Sequence, residues 1–468
     1  MKHKWLVIGS IVLGAIATVL LVVLLVYFLY VKPRQQGNND SDYAIPPVPN
    51  DPHPDDSAAP NNSTPPLDQP FRYGFEPIRG VNLGGWLVLE PFITPSLFTQ
   101  FDPKLNVRDE WSFCTALGPE EARRQLIRHY DTFVTEADFK HISELGLNHV
   151  RIPIGHWAIE TQPPEPYVEG VAWNFLLRAL NWARKYGIRV MIDLHTAPGS
   201  QNGFNHSGHS GKIGFLKGVS GTTNGNRTTT ILVEMTRRLN QHQWANVVPL
   251  FDVLNEPAII RMNKTVVGEW YKSAYAAVRA QTGCLGGFMP QPPFENVMLD
   301  LHPYYVFDRG LMSIPYAEKL TFPCTDWRRS IINATKHFGP TIVGEFTSAF
   351  TDWGPYLNGI VNASSAGARW DGTLNAGLPP ICPNCTCADE TDYASWTDSF
   401  QADMRTFVER QMDAYEMGWG WFFWNFKTEY NINPHWDYFL DVDGGWIPQD
   451  AGARLNACAA VLNNQTST

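Results

Sequence analysis

Residues 249–257 read PLFDVLNEP, a short apolar run that stops at Asn255-Glu256-Pro257. An apolar run of this length, bounded by prolines, reads as a buried strand. A carboxylate just past its end sits at a strand tip, where solvent or a ligand can meet it, and not in a core. The chain repeats the pattern at 341–345, TIVGE, where Glu345 closes a second run. Working outward, strands are predicted at Ile78–Leu83, Asn148–Ile154, Ile188–His195, Val247–Asn255, Val297–His302, Thr341–Glu345 and Trp419–Trp424. Helical periodicity fills the intervals, at Pro119–Leu145, Asn174–Tyr186, Thr229–His242, Val266–Thr282, Trp327–His337 and Ser399–Met417. Strands alternating with helices predict βα units around a parallel sheet. Asn82, Arg151, His195, Asn255, Glu256, His302, Glu345 and Trp424 all fall where these strands end. In a TIM (β/α)8 barrel that end is the catalytic face.

The predicted strands number seven, and a barrel of this kind closes with eight. The shortfall lies between Thr282 and Val297. The intervening GCLGGFMPQPPFEN is dominated by Gly and Pro and holds no β-branched residue, so it predicts no strand. The expected fold is therefore an α/β TIM barrel whose fifth strand is missing.

The N-terminus carries a different signal. From Trp5 to Val31 there are 27 residues without a charge, flanked by Lys2, Lys4, Lys32 and Arg34. At ~1.5 Å per residue such a helix exceeds the ~30 Å hydrocarbon core and spans with tilt. It is too long for a cleaved signal peptide, so residues 5–31 read as a signal anchor behind a cytoplasmic tail at 1–4. Lys/Arg counts tie across the span. Orientation is read instead from seven cysteines and from sequons at Asn61, Asn62, Asn205, Asn226, Asn263, Asn333, Asn362, Asn384 and Asn464, all after it. Disulfides and N-glycans both belong to the secretory lumen. The expectation is a single-pass type II plasma-membrane protein with its catalytic bulk outside. Residues 32–70, rich in Pro, Asn and Asp, read as a disordered stalk; 71–462 read as the catalytic domain and 463–468 as a tail. Cys382-x-x-Cys385-x-Cys387 lacks a fourth ligand at zinc spacing, so disulfides are the better reading.

A net charge of −10, with no basic stripe, excludes a nucleic-acid partner. Aromatic residues make up 13% of the chain, including 17 Trp; most will be core, but flat apolar faces also suit sugars. Two strand-tip glutamates on one barrel face supply what glycosidic hydrolysis with retention needs, an acid and a nucleophile facing each other. Asn-Glu-Pro alone is a weak tripeptide. Its pairing with a second strand-end Glu is what raises it. Arg151, taken singly, is as often a structural ion-pair partner, and His195, His302, Trp424 and the phenylalanines are more often core.

The runs RGVNLGGWLVLEPFITPSLF (79–98), RIPIG, DLHTAPGSQNGF, LNEP, LHPYY, GEF and FFWNFKTE occur in the order found in fungal exo-β-1,3-glucanases of glycoside hydrolase family 5. The chain resembles that family over nearly all of 71–462. The resemblance implies Glu256 as acid/base and Glu345 as nucleophile, supported by Arg151, Asn255, His302 and Tyr304. It implies sugar contacts by Glu90, His195 and Asn202, a platform at Trp424, and an entrance pair at Phe204 and Phe307. It implies no metal or organic cofactor, and β-glucan as the partner. An ionised Glu345 is expected to raise the pKa of Glu256 by like-charge repulsion. Relatives place a strand and long loop where this chain has 283–296, and usually Trp where it has Phe346. The alternatives are a β-1,6-glucanase or transglucosylase, or a non-catalytic glucan-binding wall protein.

Overall fold

The structure is a computed structural model that describes residues 53–282, 296–361, 364–374, 377–386 and 391–465. The signal anchor at 5–31, most of the stalk and the Gly/Pro run at 283–295 lie outside the described residues. Among the described residues no helix is long and apolar enough to cross a membrane.

Seven strands form one sheet: β1 (Ile78–Asn82), β2 (His149–Ile154), β3 (Arg189–Leu194), β4 (Leu250–Asp252), β5 (Leu299–Leu301), β6 (Thr341–Phe346) and β7 (Gly420–Phe423). Their order is β4-β3-β2-β1-β7-β6-β5, and every pair is parallel. Between them run α1 (Pro119–Phe133), α2 (Glu136–Glu144), α3 (Val171–Lys185), α4 (Gly221–Leu239), α5 (Lys264–Thr282), α6 (Arg328–His337) and α7 (Asp398–Tyr415). This is the strand order of a TIM barrel opened at one seam. The seam lies between β4 and β5, the two strands that flank the shortfall read from sequence. β2, β3, β6 and β7 are buried along their length, whereas β5 is only half-buried throughout. Among the described residues the fold is thus a curled, TIM-barrel-like parallel sheet that is open between β4 and β5.

Inside the curl, Ile78, Met191, Leu250, Ile342 and Phe422 come from β1, β3, β4, β6 and β7 and meet with Phe71 in one apolar cluster. These residues fill the barrel below the catalytic end, so that end is built on a packed floor. The packing is tight enough to require glycine: a Cβ on Gly80 would come within 2.4 Å of the Phe422 ring and 2.8 Å of the His149 carbonyl.

Two expectations are corrected. The predicted helix 119–145 is two helices, because Thr135 starts a new one: its N–H donates to Asp138 Oδ2 at 2.7 Å in a capping-box arrangement. The last part of the stalk also lies against the body. Leu67 is buried, Asp56 pairs with Arg184 at 2.8 Å, and the Arg189 guanidinium donates to the carbonyls of Pro65, Pro66 and Gln69. A polar composition hid this packing, which runs through backbone carbonyls and one arginine fork.

Disulfides link Cys324 to Cys458 and Cys382 to Cys385, while Cys114 is a buried thiol. Cys284 and Cys387 lie outside the described residues.

Candidate active site

Glu345 lies in β6, where pairing with β7 slips between Val343 and Phe346. Such a bulge re-aims a side chain, and here it leaves Glu345 on the catalytic face. Arg151, fully buried in β2, donates from one terminal nitrogen to Glu345 Oε1 at 2.8 Å and to Asn82 Oδ1 at 2.9 Å. Its other nitrogen reaches Asn255 Oδ1 at 3.0 Å, Asp193 Oδ2 at 3.1 Å and Asp252 Oδ2 at 3.3 Å. The Tyr304 hydroxyl donates to Glu345 Oε2 at 2.9 Å. Glu345 is therefore held on both oxygens, by Arg151 of β2 and by Tyr304 from the segment that follows β5.

Glu256 follows β4 with φ at +42°, a left-handed conformation rare outside glycine. Backbone strain of this kind persists only where neighbours hold it. Asn202 Nδ2 donates to the Glu256 carbonyl at 3.2 Å, and Gln201 Nε2 donates to the Asn255 and His195 carbonyls at 3.0 and 2.8 Å. Because Asn255 spends its oxygen on Arg151, its amide nitrogen faces His195 Nε2 at 3.4 Å. Burial pushes the His195 pKa down to about 3, so the ring is neutral, with its Nδ1 proton on Asp193 Oδ2 at 2.5 Å.

His302 joins the two glutamates. Its Nδ1 lies 2.7 Å from Glu256 Oε1 and 3.5 Å from Glu345 Oε2, and Asp300 stands 3.5 Å behind its Nε2. One oxygen of each carboxylate and a His302 nitrogen all lie within 4.8 Å of one another. The same three side chains could converge on a cation, but the His302 hydrogen bond accounts for their closeness. Burial alone would lower the His302 pKa; the charges of Glu345 and Asp300 and the bond to Glu256 hold it well above the ordinary value.

The order of the two carboxyls is the reverse of the sequence expectation. Burial would raise Glu256, yet the His302 hydrogen bond and charge, with His206 and His195 behind, hold it below the usual carboxylate range. Burial pushes Glu345 up to about 7 against His302 and Arg151. The physical reason is the placement of His302, whose Nδ1 bonds to Glu256 and lies farther from Glu345.

The remaining expected residues fall around this centre. Trp424 is buried and parallel to the His195 ring, 5.7 Å between centroids, with its indole edge over Gly84, where a Cβ would come within 2.7 Å. Glu90 is buried, and its Oε1 has no hydrogen-bond partner among the described residues. Burial, with the charge of Glu345, keeps its carboxyl well above the ordinary range. Asn202 is taken up by backbone, its Oδ1 accepting from the Phe204 N–H at 2.9 Å. Phe204 and Phe307 are 47% and 51% exposed, as entrance residues would be. Phe346 packs among Tyr415, Trp421 and Phe423.

Sequence reasoning missed Asp193, Asp252, Asp300, Gln201 and His206. A signal for two of them was present. The triplet Asp-Leu-His occurs at 193–195 and again at 300–302, and alternation along a strand puts each Asp on the face of its His.

The family model described as cellulase, glycosyl hydrolase family 5, matches residues 120–353. Glucan 1,3-beta-glucosidase D of Emericella nidulans is 38% identical over 420 residues, which cover 85% of this chain and 50% of that protein. A protein named "Probable glucan 1,3-beta-glucosidase D" from Aspergillus clavatus is 39% identical with the same coverage. The chain thus spans about half the length of the curated relatives it matches. Among solved structures, a rutinosidase from Aspergillus niger superposes with a TM-score of 0.59 at 19% identity, over 81% of this chain and 99% of that one. That likeness concerns the fold.

Proposed function

Because the chain belongs to glycosyl hydrolase family 5, the cellulase family, we propose that it is a retaining exo-β-1,3-glucanase acting on cell-wall β-glucan. The observation that carries this is the approach of Glu256 and Glu345, whose nearest oxygens lie within 4.8 Å. Retaining enzymes hold their carboxyls about 5–5.5 Å apart, whereas inverting ones leave roughly 6.5–9.5 Å for a water. In this reading Glu345 attacks the anomeric carbon while Glu256 gives its proton to the leaving glycosidic oxygen. A glycosyl ester on Glu345 results. Water then attacks that carbon, Glu256 takes its proton, and the Glu345 carboxylate departs. Asn255, with its oxygen fixed on Arg151, offers an N–H to the sugar 2-hydroxyl. Glu90, whose carboxyl burial holds well above the ordinary range and whose Oε1 has no partner among the described residues, suits another hydroxyl of the same sugar. Glucan 1,3-beta-glucosidases among the relatives support the linkage; β-1,6 cleavage or transglucosylation would use the same residues.

Two carboxyls this close titrate as a pair, in two steps. Below about 7 the pair holds one proton. Substrate entry that draws His302 from Glu256 toward Glu345, 3.5 Å away, places that proton on Glu256. Above about 7 the pair is empty and the acid is lost. Expected is a kcat/KM that falls about tenfold per pH unit above this point. A pH–rate profile flat from 6 to 9 would remove the pair from the mechanism.

The open seam favours one second reading. β4, which leads into Glu256, has no partner on its outer side among the described residues. We infer that the family's fifth strand belongs there and that the Gly/Pro composition of 283–296 does not supply it, whether by an omitted exon or an alternative transcript. A chain without it could bind glucan and not cleave it. The stretch at 5–31 supports a type II membrane anchor with the barrel on the wall side. The deciding experiment is laminarin hydrolysis by the full-length chain in detergent, followed by NMR of the first-released glucose. β-Glucose supports the enzyme; α-glucose would exclude retention; binding without release would leave the wall-binding protein.

A further inference from the structure

The mechanism above uses His302 on one oxygen of Glu256 and leaves the other oxygen unassigned. That other oxygen faces His206, whose Nε2 lies 3.6 Å from Glu256 Oε2. His206 sits in the short turn Asn205–Ser207, on the connection from β3 to α4. The turn is fixed from several directions: the His206 N–H donates to Asn205 Oδ1 at 2.8 Å, the Ser207 hydroxyl meets Ser200 Oγ at 2.7 Å, and the Gly208 N–H donates to the Asn205 carbonyl at 2.9 Å. The imidazole stacks on Phe204, 5.6 Å away at 25°, and meets His195 at a tilt, 5.5 Å away at 59°. Its Nδ1 is buried without a hydrogen-bond partner among the described residues.

A neutral imidazole has one N–H and one lone pair. Burial keeps His206 neutral down to about 4. With nothing at Nδ1 and a carboxylate opposite Nε2, the proton belongs on Nε2. Glu256 is then addressed by an N–H on each oxygen, tightly at Oε1 by His302 (2.7 Å) and loosely at Oε2 by His206 (3.6 Å). The loose side is the one that can yield to a proton. Oε2 is therefore the oxygen that exchanges protons with substrate, and 3.6 Å is a contact that a shift of a few tenths of an ångström makes into a hydrogen bond.

We propose that His206 is a positioning residue for the second half-reaction. Its Nε2–H steadies Oε2 of ionised Glu256 while that oxygen takes a proton from the incoming water. The water oxygen bonds to the anomeric carbon, the bond from that carbon to Glu345 breaks, and its electron pair returns to the Glu345 carboxylate. The inference rests on the retaining reading above. Other groups facing Glu256 are His302, His195, Glu345, Glu90 and Tyr304, with Arg151 behind, and they are common to wild type and variant.

The test is His206→Phe, which keeps a ring against Phe204 and removes the nitrogen, with His206→Gln as the variant that restores an N–H. The substrate is an aryl β-glucoside with a good leaving group, for which the second half-reaction limits turnover. Expected for His206→Phe is a kcat lower by about tenfold, the cost of leaving Oε2 out of line with the attacking water. KM falls in parallel, kcat/KM is nearly unchanged, the pre-steady-state burst of phenol already present in the wild type is kept above a slower steady state, and the acid limb of kcat moves up in pH. His206→Gln should recover part of kcat. If kcat and kcat/KM fall together without a burst, or neither kcat nor its acid limb moves, the role of His206 is overturned while the retaining reading stands. A wild type without Glu345-dependent turnover would overturn both.

Discussion

Glu345→Gln is expected to lower kcat/KM on laminarin by at least ~10³-fold, with no loss of folded structure. The amide is isosteric, and its oxygen can still accept from Arg151 at the 2.8 Å position now held by Oε1. It cannot form the glycosyl ester, so the first half-reaction stops. The same change has a stability signature of defined sign. Burial raises the Glu345 carboxyl to about 7 in the folded state, above its unfolded value. The folded form therefore holds the proton more tightly, and wild-type stability falls as pH rises from about 4.5 through 7. The glutamine variant carries no charge and escapes that loss. Its melting temperature should match wild type near pH 4 and exceed it at pH 8. A variant that is inactive but equally or less stable at pH 8 would mean that Glu345 is ionised without strain, and that Arg151 more than offsets its burial.

The strands and the two glutamates were legible because each is a local pattern: an apolar run with a polar stop, as at 249–257 and 341–345. The shortfall of one strand was read from the composition of 283–296, nearly all of it outside the described residues, among which the sheet is open at that seam. What local patterns could not show were contacts made across the barrel. Asp252 lies inside a strand that otherwise reads as apolar core, and only the guanidinium arriving from β2 explains a carboxylate there. His206 sits in a loop with no periodicity, and its approach to Glu256 depends on ring contacts with Phe204 and His195. The proton order of the pair was misread because the sequence gives the presence of His302 but not which carboxyl it favours.

Arg151→Met carries the largest expected effect on stability. The arginine is fully buried and is the cation shared by Asp193, Asp252 and Glu345, at 3.1, 3.3 and 2.8 Å. Burial already raises Asp193 to about 6 and Asp252 to about 7 with the guanidinium present. Without it both carboxyls rise further, so the folded state must either bind protons or hold uncompensated charge. Removing one partner of a buried ion pair costs about 3–5 kcal/mol. The loss should be smaller at pH 5, where the aspartates take up protons, and larger at pH 8, where doing so is costly. Urea unfolding at the two pH values reads this difference directly; an equal loss at both would show that the carboxylates do not depend on the guanidinium. Arg151→Lys should rescue only part of it, because a single ammonium cannot reproduce a fork that reaches two oxygens of the Asn82–Glu345 side and three of the Asn255–Asp193–Asp252 side. Activity should fall in either variant even where the fold survives. Arg151 favours the ionised form of Glu345 and fixes the Asn255 oxygen, so its loss weakens the proposed nucleophile and turns the amide proposed to face the sugar in one step.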